Sequence, residues 1–471
     1  MKRDELGGQI PRIGIDANNL LTSLLVSSFN TTHMNGNGAI GNLLSTLCRY
    51  SCGQAVLIFV FDGHRASEYK NSNTPHGSIP FHEEAKILIR AFGGYVLEAP
   101  AEADAQLSWM SDKGILDAVI SEDSDMIVRG VRTVLRFNPD QTAGNTHQEI
   151  YFDEYTTTSL KNHPTYRLTK GGLLLVALLV GNDYANGING CGIVTAIQLA
   201  SCGFGDTLRN GYFSICLDPG NSEAAAIQSQ LRKFCMQWRS NLCNELASNS
   251  SGKLTRRQPI LADNIGSDEL FPAMAALHGY LQQEVIHIPL SSRVDTRKPF
   301  ATEPFMHGGA PQHYIPSPLW STNPSYGPQP VSIEHITRFC SLRMHMSTER
   351  ILLYFQKYLW KPVLMQMYIS RSTGMPTEIR ITGHYKVIIE SALTPLKKQP
   401  DTRTRIRYIT EGLRAVAVST LSSINSRVTA PTLPAFEKTV IHHEKQAMPW
   451  VFQLGLPDLD EDSDSDMENE D

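Results

Sequence analysis

The sequence predicts an α/β fold: a doubly wound, mainly parallel sheet with helices on both faces. Between residues 12 and 136, short apolar runs alternate with amphipathic stretches of helical length. The apolar runs are continuously hydrophobic, which is typical of parallel strands buried on both faces. Acidic residues follow several of these runs where each predicted strand ends. These observations favour an open sheet whose sites form at the carboxyl ends of its strands.

The predicted elements follow one another along the chain. Strands are predicted at 12–16 (RIGID), 55–62 (AVLIFVFD), 94–98, 117–121 (DAVIS) and 131–137. Helices are predicted near 38–51, 80–92, 102–113 and 170–181. These elements divide the chain into a sheet domain over 1–165, a helical region over 166–250, a linker over 251–330, a small α+β module over 331–430 and a tail over 431–471.

The balance of acidic and basic residues indicates what kind of partner the protein can bind. The 471 residues carry 42 Lys and Arg against 47 Asp and Glu, a formal net charge of −5. Nine of these acids lie in residues 458–471, which hold no base, so residues 1–457 carry 42 bases against 38 acids, a net of +4. The body of the chain therefore suits a polyanionic partner, and the acidic tail is predicted to be disordered.

The cysteines and the hydropathy pattern exclude further classes. None of the eight cysteines forms a CxxC pair, which disfavours zinc ribbons and disulfide frameworks and favours a reducing compartment. No run of 18 apolar residues occurs, and the N-terminus has no apolar signal core. We therefore expect neither a membrane partner nor secretion.

Seven carboxylates are the main candidates for chemistry. They are Asp16, Asp62, Glu102, Asp104, Asp123, Asp125 and Asp183. Any one of them is more often a helix cap or turn former, and SEDSD (121–125) alone also fits a solvated or calcium-binding loop. Because most of them follow a strand or open the next helix, we expect them to converge in one cleft. Clustered carboxylates need cations, and oxygen ligands without His or Cys favour Mg²⁺ or Mn²⁺. Two such ions suit phosphodiester hydrolysis by water.

Four motifs resemble the flap endonuclease / XPG family of structure-specific 5′ nucleases. They are IGIDAN (13–18), LIFVFDG (57–63), the block from HEEAK to MIVRG (82–130) and LLVGNDYANGINGCG (178–192). The resemblance covers roughly residues 12–205. It implies a PIN-like fold and a nuclear, Mg²⁺-dependent endonuclease that cuts branched double-stranded DNA, at 5′ flaps or Holliday junctions, in repair and recombination. It also implies that the seven acids are catalytic and bind two Mg²⁺ ions, for which Mn²⁺ can substitute. Asp104 stands where the family usually has Glu.

The glycines of GINGCG resemble the turn of a helix–two-turn–helix element. The resemblance implies that Gly187, Gly190 and Gly192 let the backbone approach the phosphates of uncut duplex, with K⁺ bound at the turn. On its own the pattern also fits a plain helix–helix turn. Residues 193–195 (IVT) replace the basic residues that usually follow, which predicts a weaker grip on the duplex.

Two further regions are candidates for DNA contact. Arg65 and Lys70 are the only Lys or Arg side chains in the short stretch where the family has a helical arch, so they are candidates for phosphate contact, with plain surface solvation as the alternative. The segments 351–366 and 403–408 resemble the Holliday junction resolvase branch, which carries a chromodomain-like module. Whether the protein dimerises on a junction is left open by the sequence. The bases available in the module are Lys397, Lys398, Arg403, Arg405 and Arg407.

Alternatives stay open at this stage. The short arch, together with the lack of the family's usual segment before Asp16, is compatible with a catalytically impaired protein that binds DNA junctions. A PIN-like ribonuclease would also have an acidic pocket, but it has no reason to carry the GNDY and glycine-turn element. A zinc protease and a P-loop ATPase are not supported, because HEEAK (82–86) is not HExxH and no GxxxxGK[ST] occurs.

Overall fold

A six-stranded sheet organises the first third of the protein. The computed structural model describes residues 11–32, 36–53, 55–64, 81–138, 151–217, 224–268, 271–281, 285–287, 329, 331–364, 366, 389–395, 403–425 and 436–442. The strands of the sheet are β1 (Arg12–Asp16), β2 (Val56–Phe61), β3 (Tyr95–Glu98), β4 (Ala118–Ile120), β5 (Thr133–Phe137) and β6 (Phe152–Thr156). Their order is β3-β2-β1-β4-β5-β6. All neighbours are parallel except β5 and β6. The predicted doubly wound, mainly parallel sheet is confirmed.

The sheet is buried on both faces by helices. The helices of this region are α1 (Ala17–Thr32), α2 (Gly36–Tyr50), α3 (His82–Ala91), α4 (Ala103–Asp112), α5 (Asp125–Val128) and α6 (Thr157–Lys161). Alternate residues of β2 enter different cores: Phe59 and Phe61 pack with the α1–α3 side, whereas Ile58 and Val60 pack with the α4 side. All six residues of β2 are buried, as its unbroken apolar run predicted.

The register brings the ends of the central strands to one edge. Ile15 of β1 pairs with Phe59 of β2 on one side and with Ile120 of β4 on the other. Because these strands are parallel, the residues that follow them emerge together at the same edge of the sheet. The loops that carry the predicted acids therefore leave the sheet as neighbours.

The elements of this domain that were not predicted include helix α1 and strand β6, besides the short helices α5 and α6. Helix α1 follows β1 directly, and its sequence (ANNLLTSLLVSSFNTT) is rich in Asn, Ser and Thr, which have weak helix propensity. Strand β6 closes the sheet with three exposed residues in its middle, so it lacks the apolar signature of the inner strands. Both form because tertiary packing and strand pairing outweigh local preference.

A helical region with its own core follows the sheet. Its helices are α7 (Lys170–Val180), α8 (Ile193–Ser201), α9 (Phe204–Cys216), α10 (Ala224–Ser248), α11 (Pro259–Ser267) and α12 (Met274–Leu281). Helices α11 and α12 lie within the range 251–330 that was predicted to be a linker. They bury Leu261, Ile265 and Leu277 in this second core, which makes them part of the helical region.

The helices after residue 330 join the core of the sheet domain. They are α13 (Ile333–Leu342), α14 (Thr348–Tyr354), a π-helical segment (Phe355–Leu359) and α15 (Glu411–Ile424). Phe355 and Trp360 are buried in the same core as Phe59 and Leu88. The boundary predicted at 331 therefore does not separate two cores, since α13–α15 cover the face formed by α1–α3.

A second, three-stranded sheet has the order β7-β8-β9. Its strands are β7 (Ile389–Pro395), β8 (Arg403–Ile409) and β9 (Phe436–His442), and all pairs are antiparallel. Strand β8 contains the predicted β segment at 403–408. In the described part of the chain, no helix is long and apolar enough to cross a bilayer.

Candidate active site

Asp16 and Asp62 lie at the carboxyl ends of neighbouring strands. Asp16 is the last residue of β1 and is 7% exposed, and its Oδ1 accepts a hydrogen bond from the backbone N of Asn19 (3.0 Å). Asp62 directly follows β2, and its Oδ1 accepts from the backbone N of Ala103 (2.8 Å). The backbone N of Asp62 in turn donates to the Asn18 side chain (3.1 Å). These bonds tie the two strand ends to the starts of α1 and α4.

Gly63 allows the loop before α4 to lie directly against the end of β2. The Gly63 N donates to the Ala101 carbonyl at 2.7 Å. A Cβ at position 63 would lie 1.8 Å from the Ala99 oxygen and 2.6 Å from the Pro100 oxygen. Only glycine permits this approach, and the approach places the N-terminus of α4 beside Asp62.

Glu102 and Asp104 are carried by the N-terminus of α4 and are both buried. Glu102 immediately precedes the helix and has no exposed surface, while Asp104, in the first turn, is 5% exposed. The positive end of the helix dipole favours carboxylates at this position. Buried acids in a first turn nevertheless need charged or polar neighbours to remain ionised.

Asp123, in the loop after β4, and Asp125, the first residue of α5, form a second pair of acids. Asp123 Oδ1 accepts from the backbone N of Asp125 (2.8 Å), and Asp125 Oδ2 accepts from the Tyr280 hydroxyl (2.9 Å). Burial, together with the negative charge of Asp123, raises the pKa of Asp125 to about 6. The hydrogen bond from Tyr280 acts in the opposite direction.

Asp183 joins this group from the helical region. It lies in the turn after α7, and its charge adds to the rise in the pKa of Asp125. The turn is shaped by Asn182, whose side-chain oxygen accepts from the backbone N of Tyr184 (2.7 Å) and of Ala185 (3.0 Å). Asp183 is exposed at the mouth of the site, whereas its neighbour Tyr184 is buried.

Arg129 connects the acids of α4 to those after β4. Its Nη2 donates to Glu102 Oε2 at 2.7 Å and to the Tyr184 hydroxyl at 2.5 Å. The Tyr184 hydroxyl itself donates to the same Glu102 oxygen at 2.5 Å. Burial alone would lower the pKa of Arg129, but Tyr184 and the acids Asp104, Glu102 and Asp125 raise it above its ordinary value. Opposite charges from both acidic loops therefore surround one guanidinium.

The predicted acids are carried by loops at one edge of the sheet and by the turn after α7, without forming a ready-made ligand cluster. Over the described ranges, no three His, Cys, Asp or Glu side chains come together in an arrangement that could hold a metal ion. Several carboxylate oxygens are bound instead to the protein's own donors, at Asn19, Ala103, Arg129 and Tyr280.

The donor chemistry of the pocket is that of a site for hard cations. Every acidic candidate offers carboxylate oxygen, the ligand that Mg²⁺ and Mn²⁺ prefer. Burial first, and then the negative charge of Asp123, raise the pKa of Asp125, and a bound cation would lower it. The type of donor therefore suits a hard divalent ion, although no three of these side chains are gathered around one point in the described residues.

The glycine turn between α7 and α8 has three distinct glycines. Gly187 has φ +74°, and a Cβ there would lie 2.5 Å from the Val180 carbonyl carbon. Gly190 has φ +84°, and a Cβ added there would meet nothing within 4 Å, while Gly192 has the same open space and an ordinary φ of −80°. Packing therefore requires glycine at 187 and backbone conformation favours it at 190. Neither reason applies at Gly192, where the open space leaves the backbone accessible.

Several predicted contact residues cannot be placed. Arg65, Lys70, Lys397 and Lys398 lie outside the described residues. The backbone of Arg403, Arg405 and Arg407 forms β8, but their side chains are outside what the structure describes. Their predicted roles in DNA contact stay predictions.

Sequence reasoning did not identify three residues that line the pocket. Arg129 follows Asp125 by four positions, a spacing typical of a helical ion pair, which was the available signal. Tyr184 follows Asp183 directly in the GNDY motif. Tyr280 had no such signal, because it reaches Asp125 from α12, 155 positions further along the chain.

Comparison with known proteins finds related sequences and folds. The family model of the XPG I-region matches residues 94–183. A flap endonuclease 1 from Picrophilus torridus is 30% identical over 120 residues, which cover 25% of this chain and 35% of that protein. Exodeoxyribonuclease 1 from Saccharomyces cerevisiae is 36% identical over 120 residues, 25% of this chain and 16% of that protein. The chain thus spans about a third of the first relative's length and less of the second.

Solved structures resemble a much larger share of the chain. The Holliday junction-resolving enzyme GEN1, in complex with product DNA and Mg²⁺, superposes with a TM-score of 0.63 at 22% identity. The match covers 96% of this chain and 91% of that chain. A GEN-1 structure with potassium gives a TM-score of 0.62 at 22% identity, over 97% and 91% of the two chains. At this identity the likeness concerns the fold, and it supports the predicted PIN-like architecture.

Proposed function

We propose that this chain, whose residues 94–183 match the family model of the XPG I-region, is a metal-dependent, structure-specific endonuclease acting on branched DNA. The observation that carries the proposal is the convergence of acids from separate loops. The charges of Asp123 and Asp183 contribute to the raised pKa of Asp125, to which burial contributes most. The charges of Asp104 and Asp125 contribute to the raised pKa of Arg129. An anionic pocket of this kind at the carboxyl edge of a parallel sheet suits phosphodiester hydrolysis.

Four carboxylates are proposed to hold divalent ions, with two Mg²⁺ as the expected complement and Mn²⁺ as a substitute. They are Asp104, Asp123, Asp125 and Asp183. When bound, such ions stabilise charge on the scissile phosphate and acidify the attacking water. Asp16 and Asp62 support the site by holding the starts of α1 and α4 in place through Asn19 and Ala103. The expected products are a 5′-phosphate and a 3′-hydroxyl.

The glycine turn is proposed to bind the uncut duplex. Gly190 and Gly192 have open space above the backbone, which leaves room for a phosphate to approach the N-terminus of α8. A monovalent cation such as K⁺ at this turn is part of the proposal. Since the turn at 187–192 begins four residues after Asp183, bound duplex would lead towards the acidic pocket.

The substrate is proposed to be a 5′ flap or a Holliday junction, the latter bound by a dimer. The proposal draws on the likeness to GEN1, a Holliday junction-resolving enzyme, and on the flap endonuclease relatives. A nuclear location, as expected for repair and recombination, follows from the same proposal. Size-exclusion chromatography with a four-way junction tests the dimer, and a fluorescent fusion in cells tests the location.

A cleavage assay tests the proposed activity. Wild-type protein and the double variant Asp123→Asn, Asp125→Asn are incubated with end-labelled 5′ flap and four-way junction in Mg²⁺. We expect a defined nick with the wild type and none with the double variant. Glu122→Gln is the matched control, because Glu122 is exposed and its carboxylate binds the backbone N of Phe137 (2.8 Å). Cleavage that persists in the double variant would reject the assignment of these acids.

A second candidate function is a DNA-junction binding protein without catalysis. The observation in its favour is that Arg129 and Tyr184 already bind the Glu102 carboxylate in the pocket. Tight binding of a four-way junction without a nick at any Mg²⁺ or Mn²⁺ concentration would select this function. Replacing the DNA by RNA of the same shape tests a ribonuclease in the same experiment.

A further inference from the structure

A buried arginine lies inside the acidic pocket. The side chain of Arg129 is 2% exposed and that of its partner Glu102 is 0% exposed, with 2.7 Å between Nη2 and Oε2. A guanidinium remains charged at every pH at which a protein is folded. The pocket therefore contains one permanent positive charge before any metal ion is added.

Several groups hold this guanidinium in place. Nη1 of Arg129 donates to the Gly279 carbonyl at 2.9 Å, and Nη2 contacts the Tyr184 hydroxyl. The rings of Tyr184 and Tyr280 lie 5.9 and 5.4 Å from the Arg129 Cζ, within the range of cation–π attraction. The backbone N of Arg129 also donates to the Asp125 carbonyl at 2.8 Å. The charge is thus fixed from both the sheet domain and α12.

Gly279 makes room for this arrangement. A Cβ at position 279 would lie 2.8 Å from two ring carbons of Tyr184. The ring of Tyr184 therefore packs directly on the backbone whose carbonyl binds Arg129. This close packing positions the Tyr184 hydroxyl between Arg129 and Glu102, where it donates to the same carboxylate oxygen.

Glu102 consequently differs from the other acids of the pocket. One of its oxygens receives two hydrogen bonds, one from a cation and one from a phenol, and it has no contact with solvent. Asp123 and Asp125 instead lie partly exposed, and Asp183 is exposed. A divalent ion entering from solvent meets these three first, whereas binding to that oxygen of Glu102 requires displacement of Arg129.

We infer that Arg129 is a resident cation of the pocket, which retains Glu102 as its own counterion and leaves divalent ions to the other proposed ligands, of which Asp123, Asp125 and Asp183 are the most exposed. The inference rests on the proposed function for the presence of a divalent ion, but the partition of the acids follows from the contacts of Arg129. Arg129 is accordingly a positioning residue: it determines which carboxylates an added ion can use. A simple structural ion pair would not change the metal affinity of the pocket.

Mn²⁺ titration by calorimetry, without DNA, tests whether Glu102 pairs with Arg129 while the other acids bind divalent ions. In Glu102→Gln the Mn²⁺ Kd is expected to rise less than tenfold, because Glu102 is already bound to Arg129 and only the unbalanced charge of Arg129 then opposes the ion. In Asp123→Asn the Kd is expected to rise at least tenfold. An equal, tenfold weakening in both variants would overturn the inference.

Removal of the cation gives a second, independent readout. Arg129→Met frees Glu102, so thermal unfolding should show a lower Tm in EDTA and a larger rise in Tm on adding Mn²⁺ than the wild type shows. Arg129→Lys keeps the charge and should show a rise similar to the wild type. Arg132→Met is the matched control, because Arg132 binds the Asp112 carbonyl at 2.5 Å in an exposed position. An Mn²⁺-dependent rise in Arg129→Met no larger than in the wild type would contradict the inference.

The two readouts separate this inference from the proposed function. If the wild type takes up no Mn²⁺, the proposed metal-dependent activity fails. Arg129→Met then decides the inference alone: Mn²⁺ binding gained in this variant supports a resident cation, and no gain overturns it. If Arg129→Met does not fold, the comparison of Glu102→Gln with Asp123→Asn decides.

Discussion

Gly63→Ala is expected to destabilise the protein and to displace the acids of α4. A Cβ at this position would lie 1.8 Å from the Ala99 oxygen, whereas carbon and oxygen atoms normally stay at least about 3.3 Å apart. The loop must therefore move by more than about 1 Å. This movement breaks the hydrogen bond from Gly63 N to Ala101 and weakens the one from Ala103 N to Asp62, at 2.7 and 2.8 Å.

The size of the effect follows from these contacts. Overpacking against backbone costs about 1–3 kcal/mol, and each lost hydrogen bond adds about 1 kcal/mol. We expect the free energy of unfolding to fall by about 3–5 kcal/mol. In the fraction that remains folded, displacement of the α4 acids by about 1 Å should reduce single-turnover cleavage on the order of 100-fold.

Urea unfolding followed by circular dichroism, and flap cleavage under single-turnover conditions, measure both effects. Gly41→Ala is the control, because the nearest atom to its Cβ would be the Met344 methyl at 3.8 Å, an ordinary contact inside α2. This control should be neutral or stabilising by about 0.5–1 kcal/mol. If Gly63→Ala unfolds within 1 kcal/mol of the wild type, the close approach of the loop does not hold Asp62 and α4 together, and the reasoning fails.

Three further predictions concern other parts of the molecule. Gly187→Ala should lower the free energy of unfolding by about 2 kcal/mol or more, because of strain at positive φ and overlap with the end of α7. Gly192→Ala should lower it by less than about 1 kcal/mol but should weaken duplex binding in a fluorescence anisotropy assay. Equal stability of the two variants would contradict this prediction. The pKa of Asp125 is raised from near 3.8 to about 6, so the carboxyl stabilises the fold below about pH 4 and this contribution is lost as pH rises through 6. In EDTA, Asp125→Asn should therefore be about 1–3 kcal/mol more stable than the wild type at pH 7.5 and equal to it near pH 4, as measured by urea unfolding. A stability difference that does not depend on pH would show that the pKa of Asp125 is not raised in the folded protein. Phe355→Ala should lower the free energy of unfolding by about 3–5 kcal/mol, because this side chain is buried in the core of the sheet domain. Leu353→Ala should lower it by less than about 1 kcal/mol, because this side chain is 47% exposed. Similar losses in both variants would show that the helices after residue 330 do not complete that core.

The inner strands of the sheet could be predicted because their signal is local. The apolar run AVLIFVFD was expected to form a buried strand over 55–62, and β2 covers Val56–Phe61 with every residue buried. Helix α1 could not be predicted in the same way, since its Asn, Ser and Thr residues favour helix only weakly. It forms because Leu21 packs in the core against the sheet, a contact that sequence pattern does not reveal.

The assignment of residues 331–364 also required the tertiary structure. Their helical pattern was evident, and a separate α+β module was the simplest interpretation after a Pro- and Gly-rich stretch. In the structure, Val331 and Trp360 are buried in the core that also contains Phe59 of β2. Hydrophobic periodicity shows that a helix has an apolar face, but it does not show which partner covers that face.

The sequence by itself determined the class of fold and which acids stand at the ends of strands, because both follow from short-range patterns of apolar and acidic residues. Only the tertiary structure decided which of those acids are bound by other side chains of the protein. Arg129 and Tyr184 bind Glu102 from 27 and 82 positions away, and Tyr280 binds Asp125 from 155 positions away. Charge interactions depend on distance in space, so carboxylates that look equivalent along the chain have unequal surroundings once the chain is folded.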